Sequence, residues 1–186
     1  MKKKKLEDNR KCARFGISAL LWSWALVHFV LALCGCAAMN DYTNESLFPQ
    51  EVSSVCLEMF DNQTFRRGVE YELSDALAKR IEAGTPYKIV SSPDRADTVI
   101  SGQIVSIREL ALSTERETGM VLEREVEVRA VVNWKNLKTG QLLIDSQSVR
   151  ASSSYSQYQM QDFKYGSTLA ANNLARKIVE LMEQKW

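Results

Sequence analysis

The sequence predicts an α+β fold: a two-layer α/β sandwich whose mostly antiparallel or mixed sheet of four to five strands is packed by two helices on one face. Residues 122–134 alternate apolar and charged side chains, the pattern of a strand with one buried and one solvated face. Two other stretches, 65–81 and 165–183, space their apolar residues for one side of a helix instead. The elements fall in the order β-α-β-β-β-β-α, one helix after the first strand and the other at the end.

Val52 to Phe60 reads as the first strand, with Val55, Leu57 and Met59 on one face. Asp61-Asn62-Gln63-Thr64 has turn and cap chemistry, and Asn62 or Thr64 is expected to accept the first free amides of a helix. That helix carries Phe65, Val69, Leu73, Ala76, Leu77 and Ile81 along one stripe. Gly68 weakens its first turns, Gly84 offers a C-cap and Pro86 prevents continuation. Tyr87–Val90 is a short strand, followed by the polar run Ser91-Ser92-Pro93-Asp94. Thr98–Leu112 is a long strand in which Gly102 marks a bulge or a close backbone approach. In Leu122–Trp134, Leu122, Val126, Val128, Ala130, Val132 and Trp134 share one face, interrupted only by Arg124, while Glu123, Glu125, Glu127 and Arg129 share the other. Thr139-Gly140 closes a hairpin into Gln141–Arg150, and Ser152–Asp162 reads as a polar, tyrosine-bearing loop. The last helix, about Tyr165 to Glu183, sets Ala170, Ala171, Leu174, Ile178, Leu181 and Met182 on one side.

Ahead of this domain the chain changes character. Lys2, Lys3, Lys4, Lys5, Arg10, Lys11 and Arg14 form a basic head, and from Phe15 to Ala38 no acidic or basic side chain intervenes except His28. A basic region, an apolar region and a small-residue end make an export signal, so residues 1–35 are expected to be removed. The ending Leu33-Cys34-Gly35-Cys36 resembles the lipobox of bacterial lipoproteins, in which Gly35 is the last residue cut away and Cys36 carries a diacylglycerol. Residues 36–50 are then the lipidated cysteine and its tether, and 51–186 a single globular domain. Two acyl chains suffice for stable anchoring. Ile17–Leu33 also approaches the length of a spanning helix, so an uncleaved anchor with its lysines in the cytoplasm is the alternative. Cleavage before Cys34 is disfavoured because Leu33 is too large for that position.

After processing, the chain keeps 17 basic and 21 acidic residues, a net charge of −4, which argues against bulk nucleic-acid binding. Cys56 is the one free thiol left, and its apolar setting in Val55-Cys56-Leu57 reads as buried and inert. His28 leaves with the signal, so no histidine remains for a triad or a mixed His/Cys zinc site. Glu123, Glu125 and Glu127 recur at period two on a solvated face rather than converging as an acid–base pair. Asp61, Asp94 and Asp97 lack the spacing of a calcium loop, and neither Gly166 nor Thr139-Gly140 makes a phosphate-binding loop. No catalytic residue, metal or cofactor is expected, and the chain reads as a non-enzyme.

Several segments point to a family. Asn44–Pro49, Phe60-Asp61-Asn62-Gln63-Thr64-Phe65-Arg66-Arg67-Gly68, Thr85–Val90, Ala96-Asp97-Thr98-Val99-Ile100-Ser101-Gly102 and Asn173–Glu180 together resemble the LPS-assembly lipoprotein family of the LptE type. One departure is Ala37-Ala38 after the lipidated cysteine, where family members often have Gly-Tyr. The resemblance implies a non-enzymatic outer-membrane lipoprotein facing the periplasm. Its partner would be an LptD-type β-barrel translocon, in which it sits as plug and assembly partner while LPS passes to the outer leaflet. Ala37, with no Asp beside the anchor, is compatible with outer-membrane sorting in enteric bacteria. LPS phosphates need cationic partners, and Arg108, Arg116 and Arg124 flank one predicted hairpin end. The plainer reading is that these arginines balance Glu109, Glu115, Glu117 and Glu123. Two other functions remain open: a lipoprotein regulator such as a peptidoglycan synthase activator, which a short tether disfavours, and an envelope-polymer hydrolase, for which histidine is missing.

Overall fold

The computed structural model describes residues 46–183. The basic head, the apolar stretch and Cys36 lie outside the described residues. The strand-forming sequence between 98 and 156 makes a three-stranded antiparallel meander of β4 (Thr98–Thr114), β5 (Val121–Asn136) and β6 (Leu142–Ser156). The preceding elements are β1 (Ser54–Leu57), β2 (Asp61–Asn62), α1 (Val69–Gly84) and β3 (Lys88–Val90), and α2 (Phe163–Leu181) ends the fold. The sheet order is β3-β1-β4-β5-β6, with β1 and β2 both parallel to β4 and β3 parallel to β1. This is the expected mixed sheet with two helices in the expected order. No helix among the described residues is long and apolar enough to cross a membrane.

The alternation in β5 does what the sequence predicts: Val126, Val128, Ala130, Val132 and Trp134 are all buried. They meet Leu73, Leu77 and Ile81 of α1 and Leu174 and Ile178 of α2 in one core, so both helices cover the same face of the sheet. Among the described residues, no element packs on the other face. α2 is capped by Asp162, whose Oδ1 accepts the Tyr165 N–H at 2.9 Å.

The first strand is not continuous. Leu57 pairs with Ile100 and Asp61 with Gln103, so β1–β2 spends four steps where β4 spends three, and the extra residue makes a bulge. Phe60 swings inward there to 1 % exposure, while Met59, expected on the inner face, is turned out. Phe60 lies over Gly102, where an added Cβ would stand 2.5 Å from its ring and 2.5 Å from the Val131 carbonyl oxygen. Gly102 therefore serves a close backbone approach, and the first irregularity of β4 falls at Val105 instead.

α1 also starts later than its apolar stripe implies. Gly68 is the N-cap at φ 99°, a left-handed conformation that suits glycine, and Phe65 projects fully into solvent rather than into the core. Asn62 is not a helix cap but a buried strand residue that ties the loop together. Its side-chain N–H groups donate to the Arg66 carbonyl (2.8 Å) and Glu70 Oε2 (2.6 Å), and its Oδ1 accepts from the Thr64 N–H and hydroxyl. Burial works against the Glu70 charge, yet the bonds from Asn62 and from the backbone amides of Glu70 and Gly68, with Arg67 nearby, hold its carboxyl below the ordinary value.

At the other end, Ser152–Asp162 is largely strand rather than loop. β6 continues to Ser156, with Ala151 and Tyr155 buried on its inner face, and a 3-10 turn at Gln157–Gln159 follows. The entry segment is docked too: Phe48, placed in the tether by sequence, packs edge-on against Tyr87 at 5.8 Å, and Tyr87 stacks at a tilt on Trp134 at 6.0 Å. The Tyr87 hydroxyl donates to the Pro49 carbonyl at 3.2 Å.

Candidate functional site at the hairpin end and the open sheet face

The bulge at Val105 changes which side chains of β4 look toward the helices. Before it, Thr98, Ile100 and Ile104 face in; after it, Ile107 stands opposite Val128 and Glu109 opposite Val126. Glu109 is thereby carried to the helix side, where three groups converge on it. The Tyr155 hydroxyl donates to Oε1 at 2.5 Å, Arg66 bonds Oε2 at 3.0 Å, and Arg124 lies 3.4 Å from Oε1. Arg66 also sits 4.0 Å above the Phe163 ring at the start of α2. Gly166 lets α2 come this close, since a Cβ there would meet the Tyr155 ring at 2.7 Å. Burial, and then the carboxylate of Glu109, push the Tyr155 phenol up to about 12. The cluster joins the β2–α1 loop, all three long strands and α2.

A second carboxylate closes the opposite end. Asp97 Oδ2 accepts from the N–H and hydroxyl of Ser53 (3.0 and 2.6 Å) and of Ser54 (both 3.0 Å), while Lys138 approaches Oδ1 at 2.5 Å. Lys138 and the two serines hold its carboxyl far below the usual carboxylate range. Asp97 is thus a structural staple between β1 and the start of β4.

Beyond Glu109 the β4–β5 hairpin runs on, and from Leu110 to Met120 no residue is buried. Leu110, Leu112 and Met120 are about half exposed, and Tyr158 and Met160 of the 3-10 turn more so. Met120, Val121, Gln157 and Tyr158 line a shallow depression of about 280 Å³.

The three sequence-predicted arginines do not converge. Arg108 lies on the open face opposite Glu127, Arg116 is exposed in the hairpin turn, and Arg124 is turned to the helix side against Glu109. For Arg124 the charge-balancing reading describes the geometry. Sequence reasoning missed Glu109, Arg66 and Tyr155 as one cluster, because only the bulge brings them together.

The open face is ordered in cross-strand rows. Ser106, Arg129 and Arg150 form one, Arg108, Glu127 and Ser152 the next, and Leu110, Glu125 and Ser154 the one nearer the hairpin tip. The edge of β6 is partly closed by side chains: Lys177 Nζ donates to the Arg150 carbonyl at 2.8 Å, Asn173 Nδ2 to the Ser152 carbonyl at 3.0 Å, and Gln161 Oε1 accepts the Ser156 N–H at 2.9 Å.

The family model for lipopolysaccharide-assembly, LptE, matches residues 52–185. No curated protein matches the chain in sequence. Among solved structures, a hypothetical protein from Chlamydia trachomatis is similar at 14% identity over 69% of this chain and 94% of its own, with a TM-score of 0.50. An uncharacterized lipoprotein B from Nitrosomonas europaea shares 16% identity over 75% of this chain and 86% of its own, also at 0.50. A protein from Xanthomonas campestris reaches 0.51 at 9% identity over 71% of this chain and 84% of its own. At these identities the likeness is one of fold. The family match spans both helices and every strand, so the chain belongs to the LptE family of lipopolysaccharide-assembly proteins.

Proposed function

We propose that this protein is an outer-membrane lipoprotein, held through acylated Cys36, that acts without catalysis as plug and assembly partner of an LptD-type β-barrel inserting LPS in the outer leaflet. The observation that carries this reading is the family match across the whole folded domain. The surface is compatible with it: a sheet open on one side, bordered by serines and mixed charge, suits a wet, polar barrel lumen. LPS phosphates would be met at the hairpin end, where Arg116 is exposed, rather than by three arginines acting together. Affinity purification of the detergent-solubilised, full-length protein, with mass spectrometry of what accompanies it, tests the proposal. A stoichiometric large outer-membrane barrel is the expected result; a peptidoglycan synthase, or no barrel, would overturn it.

A further inference from the structure

The two helices run side by side in one direction: Arg66, just ahead of α1, lies over Phe163 at the start of α2, and the final turns of both line one cleft. The cleft holds about 290 Å³, with Arg80 and Ala83 on the α1 side and Arg176, Val179, Glu180 and Glu183 on the α2 side. Its charges are layered. Arg80 and Arg176 lie a turn or so ahead of the helix ends, whereas Glu180 and Glu183 lie at the end of α2 and just past it. Neither helix has a basic residue in its last turn, so the partial negative charge of two parallel C-termini adds to the acidic layer. Arg176 is engaged by Glu180 at 2.6 Å, but the Arg80 Nε is buried and meets no acceptor among the described residues. A cationic and an anionic layer about one helical turn apart, roughly 5.4 Å, complement a ligand that carries both charges. A lone anion would meet the glutamates and helix ends, and a lone cation the arginines. The cleft also lies where the chain enters the domain: Gly84 ends α1 just before Tyr87, which holds Phe48 by its ring and the Pro49 carbonyl by its hydroxyl. Ser46 follows Cys36 by ten residues, at most about 35 Å of chain, so an acyl anchor at Cys36 keeps this end of the domain near the leaflet.

We infer that this cleft binds the phosphoethanolamine headgroup of a membrane phospholipid, with Arg80 on its phosphate, Glu183 on its ammonium and the Arg176–Glu180 pair between them. The choice of a lipid over a soluble phosphoethanolamine rests on the proposed anchor at Cys36. A guanidinium fork matches phosphate oxygens. A primary ammonium offers three N–H donors to a carboxylate and to the free carbonyls of the helix ends. A trimethylammonium headgroup has no such donors, and a glycerol headgroup has no positive charge.

The test is native mass spectrometry of the full-length protein in detergent micelles holding equal amounts of phosphatidylethanolamine, phosphatidylglycerol and phosphatidylcholine. Phosphatidylethanolamine should be retained roughly tenfold over the other two. R80Q is expected to lower its retention roughly tenfold, and E183Q to abolish the preference over phosphatidylcholine. K79Q, on α1 where Lys79 pairs with Asp75 outside the cleft, should leave both unchanged. Unchanged thermal unfolding shows that the variants fold. Equal retention of the three lipids, or a preference that survives R80Q and E183Q, would overturn the inference. Water-soluble glycerophosphoethanolamine, which has the headgroup without acyl chains, separates the two sources: it should displace the lipid only in large excess, and displacement at equal concentration would overturn the lipid assignment. The intact mass of the same sample reads Cys36. A bare thiol there overturns the anchor of the proposed function and the lipid assignment with it, whereas an acylated protein without lipid selectivity overturns this inference alone.

Discussion

At Gly102 a side chain would collide at once with backbone and with an aromatic ring, so the position reports how tightly β1–β2 lies on β4. Gly102→Ala is expected to cost about 3 kcal/mol in urea unfolding, because the Val131 carbonyl cannot yield without breaking the ladder; a cost under about 1 kcal/mol would mean that Phe60 swings clear. Asp97 acts through charge. Its carboxyl protonates less readily when folded than when unfolded, so the unfolded chain binds more protons between the two values. The stabilisation is complete above the unfolded value of about 3.9 and is lost progressively as pH falls below it. Asp97→Ala should cost on the order of 3 kcal/mol at pH 7 by leaving the Ser53 and Ser54 donors unmet, and should flatten the acid end of a stability–pH series. Tyr155 has the opposite sign: raised to about 12, it supports the fold fully below the ordinary phenol value and loses that support as pH climbs from about 10. Tyr155→Phe should remove this alkaline slope and about 1 kcal/mol with it. Gly102 is legible as a bulge or a close backbone approach because glycine inside a long strand has few other uses, and the structure selects the second. Glu109 is not: its facing depends on the bulge four residues earlier, and nothing in Ile104-Val105-Ser106 announces one.

Among the elements, β5 was read almost residue for residue because it is the central strand of the meander, with a helix layer on one side and solvent on the other. β6 was read short for a related reason. As an edge strand it needs few large side chains, and Ser152, Ser153 and Ser154 hide the inward positions of Ala151 and Tyr155. α1 was read too long because Phe65 fits the helical stripe in sequence, whereas the left-handed turn at Gly68 and the Asn62 bonds hold it in the loop outside. The same edge strand makes a prediction about α2. Asn173 and Lys177 are one helical turn apart and cover carbonyls two residues apart on β6. N173A/K177A should leave that edge open to pair with another chain, visible as concentration-dependent dimerisation in sedimentation, while the wild type stays monomeric in the same detergent.

For the molecule as a whole, β4 is 17 residues long and spans about 55 Å, so the hairpin tip and the docked Phe48 segment lie toward opposite ends of the sheet. The core ends near Tyr155 and Val126, and the hairpin past Leu110 adds reach rather than burial. Replacing residues 112–121 by a two-residue turn should therefore cost under about 1 kcal/mol of stability yet weaken recovery of the proposed barrel partner severalfold in affinity purification. The parallel pairing of β1 with β4 has a consequence in time. Val55 finds its neighbours only at Ile89 of β3 and Thr98 of β4, whereas β4, β5 and β6 pair with what comes next in the chain. At roughly 5–20 residues per second of synthesis, β1 waits on the order of 2–9 s for β4 to emerge beside it, so its apolar Val55-Cys56-Leu57 is the segment a holding chaperone would be expected to protect.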